Sequence, residues 1–144
     1  MDPDKRVETL SDAECRRLLG TVPVGRVVYT EHALPAVLPV SFRAVPDGRL
    51  VLALRPGSST ARALDGTVAA LQADELDPAG RSGWSVLVHG RAELVRDPAE
   101  HAALLREGPR PWIGEDRPTF VVLTPELISG RRLRPARERA GADK

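Results

Sequence analysis

The spacing of apolar positions changes several times along the chain, and each change marks an element. In LSDAECRRLLG they fall at Cys15, Leu18 and Leu19, the three-and-four spacing of a helix that buries one stripe. Ser11 is placed to cap the amide of Glu14, Glu14 to reach back to Ser11, Leu10 to staple against Cys15, and Gly20 to end the element in a left-handed conformation. A helix of about two turns is expected. DPAEHAALLREG repeats the logic, with Asp97 as cap, Pro98 at the first helical position and Glu100 in the first turn.

From Val24 the spacing becomes extended. VGRVVYT, PAVLPVSF and RLVLALR are rich in β-branched and apolar residues and are separated by EHAL and VPDG, which predicts three antiparallel strands joined by hairpins. Pro35 and Pro39 cannot donate to a ladder, so the second run is expected to be an edge or bulged strand. TVAALQADEL reads as a fourth strand, followed by the loop DPAGRSG. WSVLVHGRAELV then alternates, with Trp84, Val86, Val88, Ala92 and Leu94 on one face and Ser85, His89, Arg91 and Glu93 on the other. Gly90, in its middle, marks a bulge or a close backbone approach. PTFVVLTPELISGRRL reads as a strand, a break at Thr124 and Pro125, and a last strand. Ser59 to Leu64 has room for a turn or two of helix.

About six strands and two or three short helices, without alternation of strand and long helix, predict a mainly β fold. The architecture expected is a β-barrel or sandwich with short helices plugging or flanking its ends, and a doubly wound nucleotide-binding sheet is disfavoured. With 144 residues, 42% of them hydrophobic, the chain can bury one core, so residues 1–134 are expected to form a single domain. Residues 135–144 lack an apolar anchor and are expected to be a disordered tail.

Charge narrows the partners. The 21 basic and 20 acidic side chains leave a net charge of +1, and no basic stripe is interleaved with aromatics, so nucleic acid is not an expected partner. The first ten residues are charged where a signal peptide is apolar, and no apolar run approaches a membrane span, so a cytoplasmic protein without membrane contact is expected. Cys15 is the only cysteine, which excludes an internal disulfide and reads as a core residue of the first helix.

Side-chain chemistry is sparse. His32, His89 and His101 are too scattered for a metal site, and Ser82 lacks the surroundings of a hydrolase nucleophile. A chain with neither nucleophile, acid–base pair nor metal cluster either binds passively or borrows reactivity from a cofactor. LRPGSSTARAL, residues 54–64, is the stretch with most to offer. Arg55 brings a permanent charge, Ser58, Ser59 and Thr60 bring hydroxyls, and a short helix begins beside them. By residue type alone it is either a phosphate cradle or a Pro-Gly-Ser turn.

The order of LSDAECRRLLGTVPVGRVVYT, PAVLPVSF, RLVLALRPGSSTARAL, RSGWSVLVHGRAELV, RPWIG and ISGRRL, over roughly residues 10 to 134, resembles the pyridoxamine 5′-phosphate oxidase-like flavoproteins, most of all small actinobacterial members near the nitroimidazole-resistance proteins. The resemblance implies an FMN-binding split β-barrel, a homodimer, and flavin mononucleotide (FMN) in a crevice between subunits. It implies hydride transfer through flavin N5 between a small-molecule electron donor and an acceptor. The phosphate would be held at Arg55, Ser58, Ser59, Thr60 and Arg62, and the ring would lie against Val40, Ser41 and Phe42. Trp84, Ser85 and Trp112 would stand near the cofactor or the dimer seam, and Arg131 and Arg132, in the family's terminal Gly-Arg-Arg pattern, would meet the phosphate or substrate. Related sequences usually carry a lysine where this chain has Ser59, which leaves Arg55 or Arg62 to replace it. That departure keeps two alternatives open: a deazaflavin-dependent oxidoreductase of the same fold, and a non-catalytic module for flavin or haem.

Overall fold

The computed structural model describes residues 6–111 and 117–135, so Trp112 and the tail beyond residue 135 lie outside the described residues. Its strands are β1 (Val7–Thr9), β2 (Val24–Glu31), β3 (Leu34–Ala44), β4 (Leu50–Leu54), β5 (Thr67–Asp77), β6 (Ser82–Leu94) and β7 (Thr119–Leu133). The helices are α1 (Asp12–Leu19), α2 (Ser59–Leu64) and α3 (Pro98–Glu107). All strand pairings are antiparallel, in the order β1-β7-β4-β3-β2-β5-β6, and β6 returns to pair with β7. That last pairing closes six strands into a barrel with β1 added outside it. Closure leaves few bare edges for another chain to pair with.

The barrel is filled from its walls and plugged at its ends. Val27, Leu50, Leu52, Leu71, Val86, Val88, Val121 and Leu123 fill it, joined by Leu10, Cys15, Leu18 and Leu19 from around α1 and by Ala61 and Leu64 from α2. A smaller cluster of Val51, Ala53, Phe120 and Val122 lies on the opposite face of β4 and β7, with Leu104 of α3 packed against it. The sheet is thus buried on both faces there and on one face over much of the rest.

Several expectations change once the strands are paired. β3 is an interior strand between β2 and β4, but β4 covers only Ser41–Ala44, so the half that carries Pro35 and Pro39 pairs with β2 alone. Phe42 donates its amide to the carbonyl of Pro23, on the β2 side. Alternation then turns the odd-numbered positions, both prolines included, toward the uncovered side, where no donor is required. The break at Thr124 and Pro125 is a bulge within one continuous β7, opposite the register shift between His89 and Gly90. A Cβ at Gly90 would stand 2.0 Å from the carbonyl oxygen of Thr124, so the close approach expected there is real. Gly20 ends α1 in a right-handed conformation, φ −74°, rather than a left-handed one. Ser11 caps the Glu14 amide at 3.1 Å, but the Glu14 carboxylate turns to Arg17 and Arg132 instead of back to Ser11. β1 was not expected; three residues pairing beside Arg131–Leu133 carry too little pattern to be read locally.

Candidate functional site

LRPGSST resolves into a turn and a cap joined end to end. The Ser58 amide donates to the Arg55 carbonyl at 3.2 Å, and Gly57 has φ +66°, the geometry of a type II turn with proline and glycine in their preferred positions. Ser58 then caps α2 by accepting from the Ala61 amide at 3.2 Å. Thr60 is buried and shares a hydrogen bond of 2.9 Å with the Tyr29 hydroxyl, which fastens α2 to β2. Two of the three hydroxyls are therefore committed to the fold. Arg55, Ser59 and Arg62 remain exposed, and Arg62 Nη1 donates to the Gly57 carbonyl at 2.8 Å. Nothing would lie within 4 Å of a Cβ built on Gly57, as befits an exposed turn.

Val40 and Phe42 are both 3% exposed and point into the barrel, so only their backbone can face a ligand. Ser41 points the other way, opposite Ala53, and lines a cavity of about 460 Å³ with Arg43, the α1–β2 connection and Gly108–Arg110. Trp84 is a core residue. Ser85, next to it, faces outward and accepts from Gln72 Nε2 at 3.1 Å. It faces Arg131 across the β6–β7 ladder, and both line a groove of about 650 Å³ with Thr9, Gln72 and Ser129. Arg131 is exposed, whereas Arg132 is held by Glu8 at 3.4 Å and Glu14 at 3.2 Å.

The predicted residues thus form two groups on one chain. Arg55 follows Leu54, which pairs with Thr119 at the start of β7, while Ser85 pairs with Arg131 twelve residues further along that strand. The groove at Arg131 includes none of Ser41, Arg55, Ser58, Ser59 or Thr60. Between the groups runs an outward row of directly paired residues, Val37, Val28, Ala70, His89 and Leu127, in which Val37 is 60% and Leu127 62% exposed. Its exposed apolar positions are the two ends, while Ala70 in the middle is buried and His89 is polar.

Sequence reasoning missed Tyr29, Gln72 and Thr9. Gln72 had a usable signal, an amide in an otherwise apolar strand pattern. Tyr29 and Thr9 acquire their roles only from partners distant in sequence.

Ionisation around the site is structural. Asp65, at the end of α2, is held below the ordinary carboxylate range by its hydrogen bond from Arg96 and then by the Leu94 amide. Burial raises the Cys15 thiol, so it is not a nucleophile at neutral pH. Among the described residues no group of three or more His, Cys, Asp or Glu side chains could hold a metal, and no helix is long and apolar enough to cross a membrane.

The family model described as pyridoxamine 5′-phosphate oxidase matches residues 11–132. An uncharacterized protein of Mycobacterium tuberculosis is 40% identical over 134 residues, 90% of this chain and 87% of that one. The solved FAD-binding protein of Mycobacterium smegmatis is 30% identical, covering 89% of this chain and 99% of its own, with a TM-score of 0.68. A candidate pyridoxamine 5′-phosphate oxidase of Corynebacterium glutamicum is 27% identical over 92% of this chain and 97% of its own, with a TM-score of 0.77.

Proposed function

The chain belongs to the pyridoxamine 5′-phosphate oxidase family, and from that premise we propose that two copies of it bind flavin mononucleotide between them and act as an oxidoreductase. The observation that carries the reading is the exposed turn at Gly57, with Arg55 and Ser59 beside it, together with a polar groove at Ser85 and Arg131 at the far end of β7. The donor set suits a phosphorylated, planar ligand: a guanidinium and a hydroxyl for the phosphate, an apolar sheet face for the ring. A two-fold axis through the Val37–Leu127 row would cover that strip and bring the turn of one copy toward the groove of the other.

A bound flavin would supply reversible two-electron chemistry between a donor such as reduced nicotinamide and a small acceptor. The chain's own residues bind and orient. Arg55 and Ser59 would anchor the phosphate. Gln72, Ser85 and Arg131 form the polar wall against which a polar acceptor or the ring's carbonyl edge would rest. The Tyr29–Thr60 hydrogen bond keeps the anchor fixed relative to the barrel. No side chain is required as nucleophile or as general acid.

The test is a visible absorption spectrum of the purified protein after loading with FMN and removal of excess, combined with light scattering on the same fraction. A dimer retaining about one flavin per subunit is expected. A monomer, or a dimer that retains none, overturns the reading and leaves deazaflavin or passive binding to be tried.

A further inference from the structure

We propose that the cavity between β3 and the end of α3 binds a small organic carboxylate, with its charged group at Arg43 and its apolar body against the α1–β2 connection. The cavity, of about 460 Å³, includes none of Arg55, Ser58, Ser59, Ser85 or Arg131, so it is separate from both polar groups of the flavin reading and does not depend on that reading. Its size suits one small molecule. Its lining is divided by chemistry. Val22, Pro23 and Pro109 are apolar, Ser41, Arg43 and Arg110 are polar, and no acidic side chain among the described residues takes part. Two guanidinium groups and a hydroxyl, with no carboxylate beside them, favour an anion. Thr21 also lines the cavity, but its hydroxyl is committed, donating to the Leu18 carbonyl at 2.6 Å.

Two side chains point to a ligand independently of each other. Ser41 is only 8% exposed, lines the cavity, and has no hydrogen-bond partner for its hydroxyl among the described residues. Thr60, buried to a similar degree, has the Tyr29 hydroxyl as partner. A hydroxyl taken out of water without a partner costs free energy, and a ligand oxygen in the cavity would supply the partner. Arg43 lies two residues beyond Ser41 on the same face of β3, and its Nη1 donates to the carbonyl of Glu107, the last residue of α3. That bond fixes the guanidinium beside the cavity and removes part of the rotamer freedom that clamping an anion would otherwise cost. One N–H is used and four remain, in a planar fork that matches the two oxygens of a carboxylate. The apolar wall favours a hydrocarbon body, which an inorganic anion lacks.

The experiment is a calorimetric titration of the full chain with benzoate and with benzamide, its uncharged counterpart of nearly the same shape. The wild type is expected to bind benzoate about tenfold more tightly than benzamide, and Arg43→Gln to remove that preference while leaving benzamide within about twofold, as expected for loss of a charge-assisted contact. Arg43→Lys, which keeps the charge and loses the fork, should fall between the two. Ser41→Ala should weaken benzoate by roughly threefold to tenfold. Arg91→Gln is the control: Arg91 lies outside the cavity and, like Arg43, donates to a backbone carbonyl, that of Gly66, so benzoate binding should not change. Equal affinity for the two probes, binding of neither, or benzoate binding untouched by Arg43→Gln overturns the proposal. So does an Arg43→Gln protein that loses both probes alike with a lowered unfolding temperature, which would show that Arg43 only fastens α3 to β3. Flavin retention is read separately, from the visible spectrum, so the failure of either reading leaves the other standing.

Discussion

His32 and Ala33 form the two-residue loop between β2 and β3, and both have positive φ, 53° and 63°. Both central positions of a tight hairpin in the twist-matched type I′ form require this conformation, which Asn-Gly satisfies at little cost and Ala does not. Ala33 is exposed, so nothing in the fold compensates. Ala33→Gly is expected to stabilise the protein by about 0.5–1 kcal/mol, part of the strain being offset by the greater freedom of glycine in the unfolded chain. A urea unfolding midpoint that falls rather than rises would show that the loop is not strained. Gly90 is the reverse case, since backbone stands where its side chain would be. The glycine signal in WSVLVHGRAELV was legible, but its meaning, the bulge opposite Pro125, needed β7 beside it.

At the scale of elements, the two long helices begin with similar sequence signals and differ in what the signals accomplish. Ser11 accepts a hydrogen bond from the Glu14 amide, whereas Asp97 stands in the cap position of α3 without a side-chain cap bond. Ser11→Ala is therefore expected to cost about 1 kcal/mol, and Asp97→Ala clearly less. Matched urea titrations check the difference; equal losses would show that the Ser11 hydrogen bond adds nothing to the stability of α1. Helix α1 buries Cys15, Leu18 and Leu19, the stripe read from spacing alone. α3 buries none of its residues fully, although its sequence signals are just as clear. Capping and periodicity are local properties, so both helices were legible; how deeply each is buried depends on the faces of the barrel that remain uncovered.

The whole molecule is fastened at one end by charge. Glu14 on α1 meets Arg17 and Arg132, and Arg132 also meets Glu8 on β1, so three elements share one network at the end of β7. Glu14 is lowered from its ordinary 4.5 to about 2, first by the Arg17 hydrogen bond and then by that of Arg132. Glu8 is lowered too, first by its hydrogen bond from Arg134. A carboxyl with a lower pKa in the folded than in the unfolded chain adds stability above its unfolded value and loses it as pH falls through the folded one. Stability should therefore decline from about pH 4.5 to about pH 2, and Glu14→Gln should flatten that part of the profile. Urea midpoints across this range, for both proteins, provide the check; superimposable slopes would show that the network does not couple to folding.

Locally legible were the mainly β class, the starts of the helices, strands β2 to β6 and the turn at Pro56 and Gly57, whereas β7 reads as two strands until β6 lies beside it. These follow from backbone preferences and side-chain period, which act within a few residues. The tertiary structure decided which strand is interior, where β7 bulges, and that Arg55 and Arg131 belong to opposite ends of one long strand. It also decided that Thr60 bonds to Tyr29 and that Arg62 folds over Gly57. The Tyr29–Thr60 bond joins residues thirty-one apart in sequence, and the wider arrangement depends on register and barrel closure. No local pattern encodes such pairings, because they exist only once strands distant in sequence lie side by side.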